Sequence, residues 1–186
     1  MKKTLAIVAI AAGLAVAAHA ETPMYFQLSG GATLSPDLEW DFSDYEMDTG
    51  YSVGAALGWN LSSGFALEGE VAYYNSGYSC CDSDSSLLNL SVNGIYTFGE
   101  SDKIRPYVGA GIGYGQIKYD GSAIGEGTAE DWVFTYQLMA GLRAPVAANT
   151  ELVAEYRYVG ADHGQDGTLD WEYRAHVLSA GLRFNF

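Results

Sequence analysis

Past residue 20 the chain has no apolar run approaching the ~20 residues that a membrane-spanning helix needs. Helical membrane proteins are therefore excluded. Cysteine is nearly absent: Cys80 and Cys81 are the only two, and they are adjacent. The loop they could close holds nothing, so a disulfide-stapled scaffold is excluded as well. Proline is scarce at 4, which leaves long strands free of a residue that cannot donate to a ladder. Positive charge is short too, with 9 Lys and Arg against 23 Asp and Glu. A nucleic-acid partner does not fit that balance.

What is present begins with an export signal. Lys2-Lys3 is a basic start, residues 5–18 are apolar, and Ala18-His19-Ala20 is a small-x-small cleavage site. Residues 1–20 are read as a cleaved signal peptide and residues 21–186 as a single domain. Glycine at 23 and tyrosine at 14 are both high.

The last fourteen residues set the pattern for the rest. Leu178, Ala180, Leu182, Phe184 and Phe186 share one parity; Ser179, Gly181, Arg183 and Asn185 share the other. A period of two is a β-strand with one apolar and one polar face. Segments of the same kind are predicted at 24–33, 51–60, 65–75, 87–98, 105–119, 132–144 and 150–159, with the last at 173–186. The connections alternate. Those after the second, fourth and sixth strands are short. The others are long, at 35–49, 76–86, 120–131 and 160–172.

An even strand count with short turns at one end and long loops at the other fits an all-β fold: an eight-stranded antiparallel up-and-down transmembrane β-barrel. A soluble sandwich or barrel would turn the apolar face inward. Three features favour lipid instead. The polar face is rich in Gly, Ala, Ser and Asn, as a narrow interior requires. Aromatics gather at both strand ends, with Trp59, Phe65, Tyr96, Phe98, Phe184 and Phe186 at the short-turn end and Tyr51, Tyr73, Tyr114, Phe134 and Tyr158 at the other. No charge falls on the apolar face between these belts.

The export signal, the Pro-Tyr-Val-Gly-Ala-Gly-Ile-Gly-Tyr stretch at 106–114, the Glu-Tyr-Arg-Tyr stretch at 155–158 and the terminal Gly-Leu-Arg-Phe-Asn-Phe resemble the small outer-membrane β-barrel proteins. These are the OmpA-like transmembrane domain and the opacity-protein type of the porin family. The resemblance spans residues 21–186. It implies a cell outer-membrane location with both mature termini periplasmic, surrounded by outer-membrane lipid and lipopolysaccharide. It also implies that Leu182, Phe184 and Phe186 are the signal read by the barrel-assembly machinery. The peptidoglycan-binding domain that follows some such barrels is expected to be absent.

Three constellations are candidates for function. Glu68, Glu70, Arg143, Glu155, Arg157 and Arg183 all take the inward parity, three of each sign, with Glu151 able to join from the rim. They are expected to form either an interlocked ion-pair plug or the lining of a narrow polar pore. The long loops hold 16 of the 23 acidic residues and no Lys or Arg. They read as a solvated anionic surface, with Asp44, Glu46, Asp48, Asp82 and Asp84 as a weak divalent-cation set that does not match a calcium loop. Trp40, Tyr45, Tyr78 and Trp171 among these acids suit contact with a host or surface ligand. Cys80-Cys81 at a loop tip is expected to have no catalytic task. Some barrels of this size modify lipid A, but the His-x-Ser-Asn arrangement of the deacylases is missing, and His176 and Ser179 face opposite sides of their strand. No cofactor is implied. The expected function is a non-enzymatic, adhesin-like outer-membrane surface protein. A narrow diffusion channel is the alternative, and a lipid A-modifying enzyme comes third.

Overall fold

The structure, a computed structural model, describes residues 23–40, 43–46, 49–62, 64–78, 81–99, 104–119, 129–162 and 171–186. Side chains are described over 23–34, 49–62, 64–76, 85–99, 104–118, 132–161 and 174–186. The signal segment 1–20, Asp48 and Cys80 lie outside the described residues. So do the side chains of Asp44, Glu46, Cys81, Asp82 and Asp84.

Among the described residues nine strands form one antiparallel sheet: β1 (Met24–Trp40), β2 (Ser43–Glu46), β3 (Gly50–Ser62), β4 (Phe65–Tyr78), β5 (Cys81–Thr97), β6 (Arg105–Tyr119), β7 (Ala129–Ala147), β8 (Thr150–Asp162) and β9 (Trp171–Asn185). β1 pairs with both β2 and β3, each strand from β3 onward pairs with the next, and β1 also pairs with β9, so the sheet closes on itself. β2 adds no stave. Asp37 pairs with Glu46 and Thr33 with Gly50, which puts β2 in the same register as β3 and makes it the outer continuation of that stave. The barrel is eight-stranded, as the alternation of polarity predicts.

Register fixes its shape. From Met24 the partners run through Trp59, Leu67, Gly94, Ala110, Leu138, Tyr158 and His176, and the circuit returns to β1 at Leu34, ten residues further along. With ~3.3 Å per residue and ~4.8 Å between strands, that stagger tilts the staves by about 40°, within the range of outer-membrane barrels.

The strands are longer than the sequence suggests. β1 extends past Thr33 to Trp40, β5 starts at Cys81 rather than Leu87, and β8 reaches Asp162. The segments 35–49 and 76–86 are largely β-ribbon rather than loop. Tyr78 pairs with Cys81 across the second ribbon. Beyond the bilayer no lipid selects an apolar face, so alternation fades from the sequence while backbone pairing continues. At the opposite end the turns are tight. Gly64 and Gly99 sit there at φ of 82° and 71°, a left-handed backbone that a Cβ would strain.

The outward face is apolar and unpacked. Leu90 is 63% exposed and Ile112 61%, with Val53, Val92, Leu138 and Leu178 about half exposed. In water such a girdle would be an aggregation surface; in lipid it is the anchoring band. Paired aromatics border it. Tyr114 stacks on Trp132 at 5.7 Å, Tyr51 meets Tyr73 at 6.2 Å, and Tyr136 meets Tyr158 at 6.2 Å on the ribbon side. Tyr96 and Phe98 pair edge-on at 5.0 Å on the short-turn side. Trp59 and Tyr51 lie at the two ends of β3, eight residues apart, about 20 Å along the axis at that tilt.

Candidate functional site: the lumen and its short-turn mouth

Inward side chains fill the barrel in layers. The central layer is polar. Arg157, on β8, donates through Nη1 to both carboxylate oxygens of Glu70 at 2.7 Å, and its Nε donates to Glu155 at 2.9 Å. The same Nη1 reaches the Tyr74 hydroxyl at 3.1 Å. Asn93 donates to Glu68 at 3.1 Å and to Glu70 at 2.9 Å, and Gln137 donates to the Asn93 carbonyl at 2.6 Å. Glu68 also accepts from the Tyr25 hydroxyl at 2.8 Å, and Glu155 from the Tyr107 hydroxyl at 2.7 Å. A void of about 10 Å³ beside Glu70, Tyr74 and Arg157 has room for about one water. Burying charges this deeply demands such dense hydrogen bonding, since an unpaired ion in low dielectric is costly.

Apolar layers lie on both sides of this polar layer. Toward the ribbons, Leu87, Ile117, Val133, Val159, Ala175 and Val177 form one buried cluster. Toward the short turns, Tyr25, Ala66, Ile95, Tyr107, Met139 and Val153 form a second. The sequence reading overlooked both clusters. Leu87, Ile117, Val133 and Val159 carry the parity of Asn89, Gly115, Thr135 and Arg157. All four lie within the predicted strands, so following the inward parity to the end of each strand would have found them.

The six inward charges do not form one network. Glu70, Glu155 and Arg157 meet at the centre, and Asn93 links Glu68 to them. Arg143 and Arg183 lie below the tyrosine layer, at the short-turn mouth. Arg183 has its guanidinium carbon 3.4 Å from the centre of the Tyr25 ring and its Nε 3.4 Å from Glu151. Arg143 lies 4.1 Å over the Tyr107 ring and donates to Thr97 at 2.8 Å. Arg105, which the sequence reading did not single out, pairs with Glu151. Glycine makes this floor possible: a Cβ at Gly58 or Gly141 would strike the Tyr25 or Tyr107 ring.

On the outside, Leu182 and Phe186 are exposed to the lipid side, with Phe184 partly so, and the Phe186 N–H donates to the Met24 carbonyl at 2.8 Å at the closing seam. His176 faces outward between Tyr156 and Tyr158, its Nδ1 2.7 Å from the Tyr156 hydroxyl. Ser179 lies on the opposite face, so the pair cannot act together. Among the described residues no group of three or more His, Cys, Asp or Glu is placed to hold a metal ion.

Comparison with known proteins agrees with this architecture. The opacity protein opA65 of Neisseria gonorrhoeae is 27% identical over 129 residues, which cover 54% of this chain and 53% of the relative. The chain thus spans about half the length of that curated relative. The Neisserial surface protein NspA superposes with a TM-score of 0.68 at 22% identity, over 89% of this chain and all of that one. Ail, the attachment invasion locus protein of Yersinia pestis, solved with the heparin analogue sucrose octasulfate, gives 0.52 at 20% identity, over 87% of this chain and 99% of that one. Residues 5–186 match the outer membrane protein beta-barrel domain, and the chain belongs to that family of outer-membrane β-barrels.

Proposed function

We propose that this protein is a non-enzymatic surface protein that works through its acidic ribbons rather than through its lumen. One observation carries the reading. The barrel interior is filled by two buried apolar layers around a hydrogen-bonded charged centre, while 16 of the 23 acidic residues fall in the four long connections of the sequence. Among the described residues, the two apolar layers lie between the charged centre and each mouth. The ribbons face the exterior in this reading and both mature termini face the periplasm. Leu182, Phe184 and Phe186 serve the assembly machinery. Asp44, Glu46, Asp48, Asp82 and Asp84 offer divalent cations a route to bridge lipopolysaccharide phosphates.

The partner chemistry follows from charge. Ail was solved with a polysulfated heparin analogue. An anionic rim of this density repels such a ligand and favours a cationic surface. The test is a biosensor experiment on the full protein in nanodiscs, with immobilised polylysine, heparin and a neutral dextran as probes. Polylysine should bind in a salt-dependent way, and heparin should not. Neutralising Asp37, Glu39, Asp44 and Glu46 should lower polylysine binding by about tenfold, and a calcium titration measures any divalent share. Equal binding to heparin and polylysine would overturn the reading. Planar-bilayer recording tests the channel alternative: no reproducible conductance steps are expected, and a steady single-channel current would replace the surface role with a pore.

A further inference from the structure

The short-turn mouth has a feature that the charged centre lacks. Arg105, Arg143 and Arg183 converge there, and the acidic side chain that meets them is Glu151, paired with Arg105 and Arg183. Glu151 is already shared between Arg105 and Arg183. The guanidinium carbons of Arg183 and Arg143 lie 3.4 and 6.0 Å from the centre of one ring, Tyr25. Two like charges held this close repel unless an anion joins them.

Three observations show that the place is built and not merely cationic. Arg143 and Arg183 are 3% and 5% exposed, so both heads are fixed rather than trailing in solvent. Arg143 Nε and Arg183 Nη1 are buried donors with no acceptor, a costly arrangement that a ligand would relieve. Both arginines line a cavity of about 280 Å³ together with Asn60, Thr97 and Asn185. This opens onto a wider bowl of about 630 Å³ that shares Arg105, Thr97 and Asn185. Neutral donors and acceptors thus flank the guanidinium groups. The buried Tyr25 and Tyr107 rings lie against Arg183 and Arg143, with the apolar layer of Ile95, Met139 and Val153 beside them, so the inner side is packed rather than open.

We propose that this mouth is a binding site for a small oxyanion, a phosphate or carboxylate group. Guanidinium forks match the oxygen pairs of both. The excess of arginine over carboxylate supplies the charge, and the packed inner side supplies the enclosure. Glu151 acts as a resident substitute that a ligand displaces or joins. The site is independent of the proposed ribbon function, since it lies at the other end of the barrel.

The test is isothermal titration of the full protein in detergent with inorganic phosphate, and separately with acetate, at constant ionic strength. Saturable binding of either is expected, and whichever binds more tightly identifies the group. Arg143→Gln should weaken it by about tenfold or more. Arg105→Gln, whose side chain is 35% exposed and contributes little to packing, should weaken it several-fold and serves if the buried variant fails to fold. Glu151→Gln should tighten binding, because it removes the competing carboxylate. A purely structural role for these residues would not produce that tightening. No saturable heat with either anion, or affinity indifferent to Arg105→Gln and Glu151→Gln, would overturn the site.

Discussion

Arg157 is the residue on which the charged centre depends. Its guanidinium holds Glu70 and Glu155, and all three are buried. Breaking a buried pair costs more than the pair itself contributes, because the abandoned charge has no water to return to. Arg157→Leu should therefore lower stability by about 3–5 kcal/mol, read as a fall in the urea midpoint of the protein refolded in detergent. Combining it with Glu70→Gln should recover part of that loss, because one stranded charge is then gone. An unchanged midpoint in the single variant would show that the centre is hydrated in solution. The sequence made some of this legible. Parity put Glu68, Glu70, Glu155 and Arg157 on the inward face, because alternation is a local property. Which arginine meets which carboxylate was not legible. Arg157 and Glu70 lie 87 residues apart, and they meet only because the barrel carries a ten-residue stagger that no single strand encodes.

Strand β6 (Arg105–Tyr119) shows how an element sets the room available to that centre. Its inward positions Gly109, Gly111, Gly113 and Gly115 have no side chains, and the neighbouring staves use the space. A Cβ at Gly111 would collide with the Asn93 amide, and one at Gly113 with the Thr135 hydroxyl and the Leu90 carbonyl. Asn93 ties Glu68 to Glu70, so the glycine acts on the charges through its neighbour. Gly111→Val should cost about 1–3 kcal/mol by overpacking, with an added penalty for the glutamates it unties. Gly69→Ala is the contrasting control. Nothing lies within 4 Å of the added carbon, so its midpoint should stay within about 0.5 kcal/mol of the parent. Equal losses in the two variants would mean that glycine serves strand flexibility rather than interior space. The glycine ladder itself was plain in the sequence. Its purpose was not, because the side chains it accommodates belong to β5 and β7.

At the scale of the whole molecule, the barrel and the ribbons are separable. Closure depends on the β1–β9 seam, where Tyr25 to Leu34 pair with Asn185 to His176, and on the side chains packed inside. The first ribbon continues β1 and β3 outward in unbroken register, as Asp37 with Glu46 follows Thr33 with Gly50. The barrel pairs from Met24–Trp59 to Thr33–Gly50 do not involve it, and its tie to β9, Asp37 to Trp40 against Arg174 to Trp171, lies outward of a register shift after Leu34. Replacing residues 35–48 with a short glycine-containing turn should therefore leave the heat-modifiable migration of the protein on gels unchanged. Its urea midpoint should hold or rise slightly, since a shorter connection costs less entropy to close. Polylysine binding should fall, because the replaced segment holds six acidic residues: Asp37, Glu39, Asp41, Asp44, Glu46 and Asp48. Loss of heat-modifiable migration would mean that the ribbon helps to close the barrel and that the two halves are one cooperative unit. Retained polylysine binding would move the contact surface to the other long connections, whose acids then become the next to neutralise.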